Sequence, residues 1–264
     1  MDTHERAALE HQNWIGYLTG VVGCSPGAIV RRTGGVVSIL TGLPFDWLNQ
    51  ILLEHDDATT DELAGAVDWA RAHGRSFVVR LREGIDDRSI PLVERLGLTA
   101  AGDGVTTPGM VAFPIDRNRI ASVQRPGFEI RRVTDVAGID VHRRMVTEGF
   151  GSDPVVALGT ACPELLDRPG CVVYVGYADG APVMSGMGWR TGRTIGVYAI
   201  ATIPSARRRG YGAAMTARVV ADGLAAGCDV AALQASELGR PIYERVGFQV
   251  DVRYVAYGDS SPDV

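Results

Sequence analysis

Apolar positions along this chain switch repeatedly between a helical and an alternating rhythm, and the switches mark out its elements. Over residues 5–19, Ala7, Ala8, Trp14, Ile15 and Leu18 fall on one helical face. Ser25-Pro26-Gly27 breaks that stretch. Two short apolar runs follow, 28–32 and 36–40, joined by Thr33-Gly34-Gly35 as a hairpin. Residues 44–53 read equally as strand or helix. A helix then starts at Thr59 or Thr60. Asp61 and Glu62 face the positive end of its dipole, and Leu63, Ala66, Val67 and Ala70 recur at helical spacing before Gly74. A strand over 76–81, a short helix over 88–96 with Pro91 near its first turn, and a strand over 110–115 follow.

The second half opens with a strand over 128–132 and a helix capped by Thr134 or Asp135, with Val136, Ile139, Val141 and Met145 apolar. Residues 150–169 read as irregular. A meander succeeds them: 171–178, an Asp179-Gly180 turn, 183–190, a turn at 191–193, and a third strand from Thr194. An alanine-rich helix over 213–226, a strand over 230–233, a helix containing Tyr243 and a last strand over 250–257 complete the chain. Between the halves, a charged stretch ends in Pro126-Gly127. The pattern therefore predicts a domain over 1–116, a linker over 117–127 and a domain over 128–264.

The halves share more than element order. Pro91-Leu92-Val93-Glu94-Arg95-Leu96-Gly97-Leu98 aligns without a gap on Pro241-Ile242-Tyr243-Glu244-Arg245-Val246-Gly247-Phe248. Pro, Glu, Arg and Gly are identical, and each copy follows a helix and strand and precedes a final strand. A tandem duplication explains this. The first copy has Val93 in place of Tyr243 and lacks any Arg-x-x-Gly-x-Gly, so its half reads as degenerate.

Composition narrows the function classes. At 264 residues, 46% apolar and 22% charged, the chain can bury two ordinary cores. A net charge of −5 gives no broad basic surface for nucleic acid. The four cysteines, Cys24, Cys162, Cys171 and Cys228, lack Cys-x-x-Cys spacing and a His cluster, which argues against a zinc site or a disulfide framework. No apolar run is long enough to span a membrane, and the charged start lacks a signal-peptide pattern. The expectation is a cytoplasmic protein, monomeric or homodimeric.

Chemistry concentrates in Thr194–Phe248. A helix start offers unpaired N–H donors and about half a positive charge. Gly210 and Gly212 remove side chains that would block an anion there, and Arg207, Arg208 and Arg209 add cationic charge. Met215 breaks a Rossmann fingerprint, and no Gly-Lys-Ser/Thr follows to make a Walker A loop.

The order of strand, Arg-x-x-Gly-x-Gly, helix, strand and Tyr-x-x-x-Gly-Phe resembles the GNAT acetyltransferase superfamily. The resemblance implies an α/β (α+β) fold of two GNAT-like domains. Each would be a mixed, mostly antiparallel sheet flanked by helices, with the acyl-CoA site in the C-terminal one. It further implies that the backbone of Arg207, Arg208, Arg209, Gly210, Tyr211, Gly212 and Ala213 holds the pyrophosphate of acetyl-CoA. Ile200, Ala201 and Thr202 would pair with the pantetheine arm and polarise the thioester, and Tyr243 would protonate the departing thiolate. Ser236 stands where many members carry an Asn that contacts CoA, which leaves that contact open. The implied reaction is transfer of an acetyl group to a primary amine of a small molecule by direct attack in a ternary complex. The rival readings are a non-catalytic acyl-CoA-binding or regulatory module, and transfer of another acyl group or to a hydroxyl or protein amine. No carboxylate lies in the strand 195–203, so no general base is assigned among Glu148, Asp153 and Glu237.

Overall fold

The computed structural model describes residues 1–21, 24–101, 106–237 and 239–259. The chain gathers into two compact units that do not follow its linear order. Unit 1 holds Met1–Tyr17 and Gly109–Asp251, and unit 2 holds Leu18–Pro108 with the chain from Val252 onward. The first helix, α1 (Thr3–Val21), is divided between them.

Unit 2 begins with an antiparallel meander of β1 (Ile29–Thr33), β2 (Val36–Leu40) and β3 (Gln50–Leu53). The ambiguous segment 44–53 thus resolves into a single 3₁₀ turn over Asp46–Leu48 and a strand. Helix α2 (Thr60–Ala72) crosses to β4 (Val78–Arg82), which runs parallel to β3. Thr59 caps α2: its hydroxyl accepts from the Glu62 N–H, and the Glu62 carboxylate accepts from the Thr59 and Gly35 N–H groups. Its apolar face buries Leu63, Val67 and Ala70 completely, against Phe77, Val79 and Val93. Each large side chain so buried contributes roughly 1.5–3 kcal/mol. Helix α3 (Ile90–Arg95) and β5 (Leu98–Ala100) follow, with Gly97 left-handed between them.

Unit 1 repeats that plan. From β6 (Thr106–Ala112), residues 109–112 lie in this unit. The stretch 117–127, expected as a linker, holds α4 (Arg117–Ser122) inside the unit. The Asp116 carboxylate caps α4, and Ile120 joins the core. Its charge and the Pro-Gly pair mask that packing in the sequence. Next come β7 (Phe128–Arg132), α5 (Val136–Phe150) and α6 (Pro154–Thr160). The region expected to be irregular, 150–169, thus contains a helix that Asp153 caps through the Val155 N–H.

The meander is β8 (Cys171–Ala178), β9 (Ala181–Thr191) and β10 (Thr194–Thr202). Helix α7 (Tyr211–Ala225) crosses to β11 (Val230–Gln234), parallel to β10. Helix α8 (Arg240–Val246) leads to β12 (Gln249–Asp259). Met215 and Val219 of α7 lie against Gly186 and Gly188 on one face of the sheet. The opposite face is covered by α1, through Tyr17 on Trp189 and Tyr198, and by α5, through Gly149 on Ala201.

Each unit's sheet is completed by a strand from the other half of the sequence. In unit 1, β6 lies antiparallel beside β11, with Ala231 opposite Ala112. In unit 2, the end of β12 lies antiparallel beside β4, with Tyr254 opposite Arg82. Among the described residues no helix is long and apolar enough to cross a membrane.

Candidate active site

The site starts at an irregularity in β10. Tyr198 opposes Met187 and Ala201 opposes Ser185, so β10 carries one more residue than β9 across that interval. Such a bulge takes a backbone group out of the ladder and re-aims the strand. Here Ala199 turns left-handed, φ 51°, at a cost of roughly 1–2 kcal/mol for a residue with a Cβ. Ser185 donates its hydroxyl to the Ala199 carbonyl at 2.7 Å and so satisfies the displaced group.

On its other side, β10 pairs with β11 at Thr194–Val230, Ile195–Ala231 and Gly196–Ala232. Beyond Gly196 the two strands share no rung among the described residues. Ile200, Ala201 and Thr202 therefore sit on the edge of an opening fork, still held to β9 by rungs at Ala201 and Thr202.

The loop after β10 is a single turn, Pro204–Ala206, and then Arg207 to Gly210. Arg207 donates through Nε to the Thr202 carbonyl at 3.2 Å and through Nη2 to the Gly149 carbonyl at 2.8 Å. Its guanidinium thus ties the end of β10 to the end of α5. Arg208, left-handed at φ 63°, and Arg209 are exposed. Gly210 is the N-cap of α7 at φ 82°, and no side chain among the described residues caps that helix. The N-terminus of α2, by contrast, is closed by its own Glu62 carboxylate.

A fourth arginine stands at this loop. The guanidinium of Arg125 lies against Gly210, where any Cβ would collide with its Nε. Arg125 also donates through Nη1 to the Gln124 carbonyl at 3.2 Å. Its sequence setting, Gln-Arg-Pro-Gly, reads as linker, and only the fold carries it to the start of α7. Ser185 was equally silent: it is one polar residue inside an apolar strand.

The remaining expected residues fall as follows. Tyr211 stacks on Phe128, with centroids 4.3 Å apart and planes at 15°, so its side chain belongs to the core. Gly212 faces Ile242 of α8, which a Cβ there would meet at ordinary contact distance, and Ala213 packs half-buried against the core. The Ser236 hydroxyl accepts from the Gly239 N–H at 3.1 Å and shapes the turn into α8.

Tyr243 is half-buried on α8, edge-on to Phe248 at 6.2 Å. Burial pushes its phenol up to about 12, so it holds its proton at neutral pH. The fold thus brings the β10 edge, the 207–213 loop and α8 into one region. It leaves the side chains of Arg207, Tyr211 and Ser236 engaged with the protein itself.

Residues 169–250 match the family model described as acetyltransferase (GNAT) domain. Among curated protein sequences, none matches the chain. Among solved structures, the chain is similar to a GCN5-related N-acetyltransferase from Kribbella flavida, 17% identical. That match covers 96% of each chain with a TM-score of 0.70. It is also similar to a tandem GNAT protein from the clavulanic acid biosynthesis pathway, 13% identical, covering 100% of this chain and 98% of that one with a TM-score of 0.63. A putative GNAT-family acetyltransferase from Novosphingobium aromaticivorans is 17% identical, with 96% and 99% covered and a TM-score of 0.59. By sequence, residues 169–250 match the model of the acetyltransferase (GNAT) domain, and by fold the whole chain is similar to solved GCN5-related N-acetyltransferases, a tandem GNAT protein among them.

Proposed function

We propose that this protein is an acetyl-CoA-dependent N-acetyltransferase acting on a primary amine of a small molecule, with its acyl-CoA site in unit 1. One observation supports this most directly. The long helix that follows the bulged, half-open strand begins at a left-handed glycine with no side-chain cap among the described residues, beside Arg125, Arg208 and Arg209. Those features suit a pyrophosphate: free N–H donors, no obstructing Cβ and nearby cations. Helix α2, by contrast, has its own Glu62 carboxylate folded back onto its N-terminus. The two domains proposed from the sequence, 1–116 and 128–264, are in this reading a degenerate and an active copy of one unit.

In the reaction, Ile200, Ala201 and Thr202 offer the β10 edge to the pantetheine arm, and an N–H there polarises the thioester carbonyl. The acceptor nitrogen forms its bond to the carbonyl carbon as the carbon–sulfur bond breaks. Tyr243 gives its proton to the departing sulfur, the nitrogen loses one to water, and the phenolate regains one from solvent. A phenol near 12 is a weak acid against an aqueous thiol at about 8.5. The same burial disfavours the thiolate, so the two shift together and the transfer stays feasible.

A second reading, a non-catalytic acyl-CoA-binding module, is favoured by one observation: β10 carries no carboxylate to serve as a base. Two measurements separate the readings. Saturating acetyl-CoA should raise the melting temperature, and an unchanged transition defeats both readings. An assay for CoA release over amino acids, polyamines and aminoglycosides should then find an acceptor. Silence across the panel with retained acetyl-CoA binding favours the module.

A further inference from the structure

The acceptor side of the fork has a polar cluster that comes largely from α1. Gly196 and Ala232 form the last rung between β10 and β11. Two residues further along each strand stand Tyr198 and Gln234, on the face opposite α7. There Glu10 and Asn13 of α1 meet them, both completely buried. The Tyr198 hydroxyl donates to Asn13 Oδ1 at 2.7 Å. Asn13 Nδ2 donates to the Trp189 and Thr194 carbonyls at 3.0 and 3.3 Å, which fixes its orientation. Tyr17 stacks flat on the Tyr198 ring at 3.7 Å and holds it in place.

Gln234 is locked by this cluster. Its Nε2 donates to Glu10 Oε1. The neighbouring Tyr198 hydroxyl gives its single proton to Asn13. Turning the amide over would set its carbonyl against the Glu10 carboxylate. The amide nitrogen is thus directed inward, and Oε1 of this half-buried residue has no hydrogen-bond partner among the described residues, which leaves it to face the fork. An oxygen acceptor at that place, with a buried carboxylate behind it, suits an N–H donor of an amine.

We propose that Gln234 orients the acceptor: its Oε1 receives an N–H of the attacking amine, and Glu10 of α1 is the positioning residue that aims it. This rests on the acetyltransferase reading above. It also gives α1, whose stretch from Thr3 to Tyr17 belongs to unit 1, a part in the site.

The test uses the full chain, acetyl-CoA and the most reactive amine of the panel. Gln234→Leu should raise the acceptor KM about ten-fold, the range for losing a buried hydrogen bond. The acetyl-CoA KM and the acetyl-CoA thermal shift should stay as in the wild type. Glu10→Gln, which frees the amide to turn, should raise the acceptor KM by a smaller factor in the same direction. Gln234→Met takes the place of the leucine variant if that one loses the native melting transition. Acceptor kinetics within two-fold of wild type for the folded Gln234 variant overturn the proposal, as does an equal loss in both KM values. Wild type that binds acetyl-CoA yet acetylates no amine overturns the assignment of an amine at Gln234. A wild type without any acetyl-CoA shift defeats the acetyltransferase reading, and this inference with it.

Discussion

Ser185 and Ala199 face each other across two strands, and the serine hydroxyl holds the alanine carbonyl at 2.7 Å where β10 leaves its ladder. Ala199 is left-handed, so two opposing terms can be weighed. Ala199→Gly removes roughly 1–2 kcal/mol of backbone strain. It adds roughly 0.5–1 kcal/mol of unfolded-state entropy. Relief wins, and the melting temperature should rise slightly. Ser185→Ala leaves the carbonyl without its partner and should cost about 1 kcal/mol by denaturant unfolding. The same variant should lower activity, because the carbonyl's position sets the strand edge.

Gly210→Ala tests the phosphate cradle. The new methyl meets a left-handed backbone and the Arg125 guanidinium, which must move away. A stability loss of about 1 kcal/mol is expected from the backbone alone. Acetyl-CoA affinity should fall by about ten-fold or more, read by isothermal titration. Arg125→Gln should weaken the same affinity while leaving unfolding nearly unchanged, since the side chain is exposed.

Tyr243→Phe keeps the edge contact with Phe248 and removes the proton donor. Turnover should fall by about 10²-fold, with acetyl-CoA affinity retained. Unchanged turnover removes the general-acid role.

Thr59→Ala opens the capping box of α2 and should cost about 1 kcal/mol of stability. Acetyl-CoA affinity should not change. A change would place acyl-CoA binding in unit 2 as well.

His142 gives the pH dependence. It is fully buried on α5, its Nδ1 meets the Tyr174 carbonyl at 3.0 Å, and its Nε2 has no hydrogen-bond partner among the described residues. Burial lowers its pKa from 6.5 to about 4. The folded state therefore stays neutral while the unfolded state takes up a proton between those values. Stability should fall as pH drops from 6.5 toward 4, by on the order of 3 kcal/mol for this group. His142→Asn should flatten that slope in urea unfolding measured across the window.

Much of the second half was legible because its signals are local. Asp179-Gly180 made the hairpin it promised, with both residues left-handed. Thr59 and Glu62 closed their helix start, and Gly97 and Gly247 ended α3 and α8 at matching places in the two copies. Helix α4 was hidden because its stability comes from Ile120 in the core and a cap at Asp116, while its surface residues are charged.

The sequence alone determined the glycine-started helix, the tyrosine on α8 and the duplicated plan, since turn chemistry, caps and periodicity act within a few residues. Tertiary structure decided the rest. It spent Arg207 on two carbonyls, brought Arg125 to Gly210, and set Glu10 beside Gln234 from 224 residues away. It also set β6 beside β11 and the end of β12 beside β4. Such pairings are fixed by which buried faces and open edges can be satisfied together, and no local pattern encodes that choice.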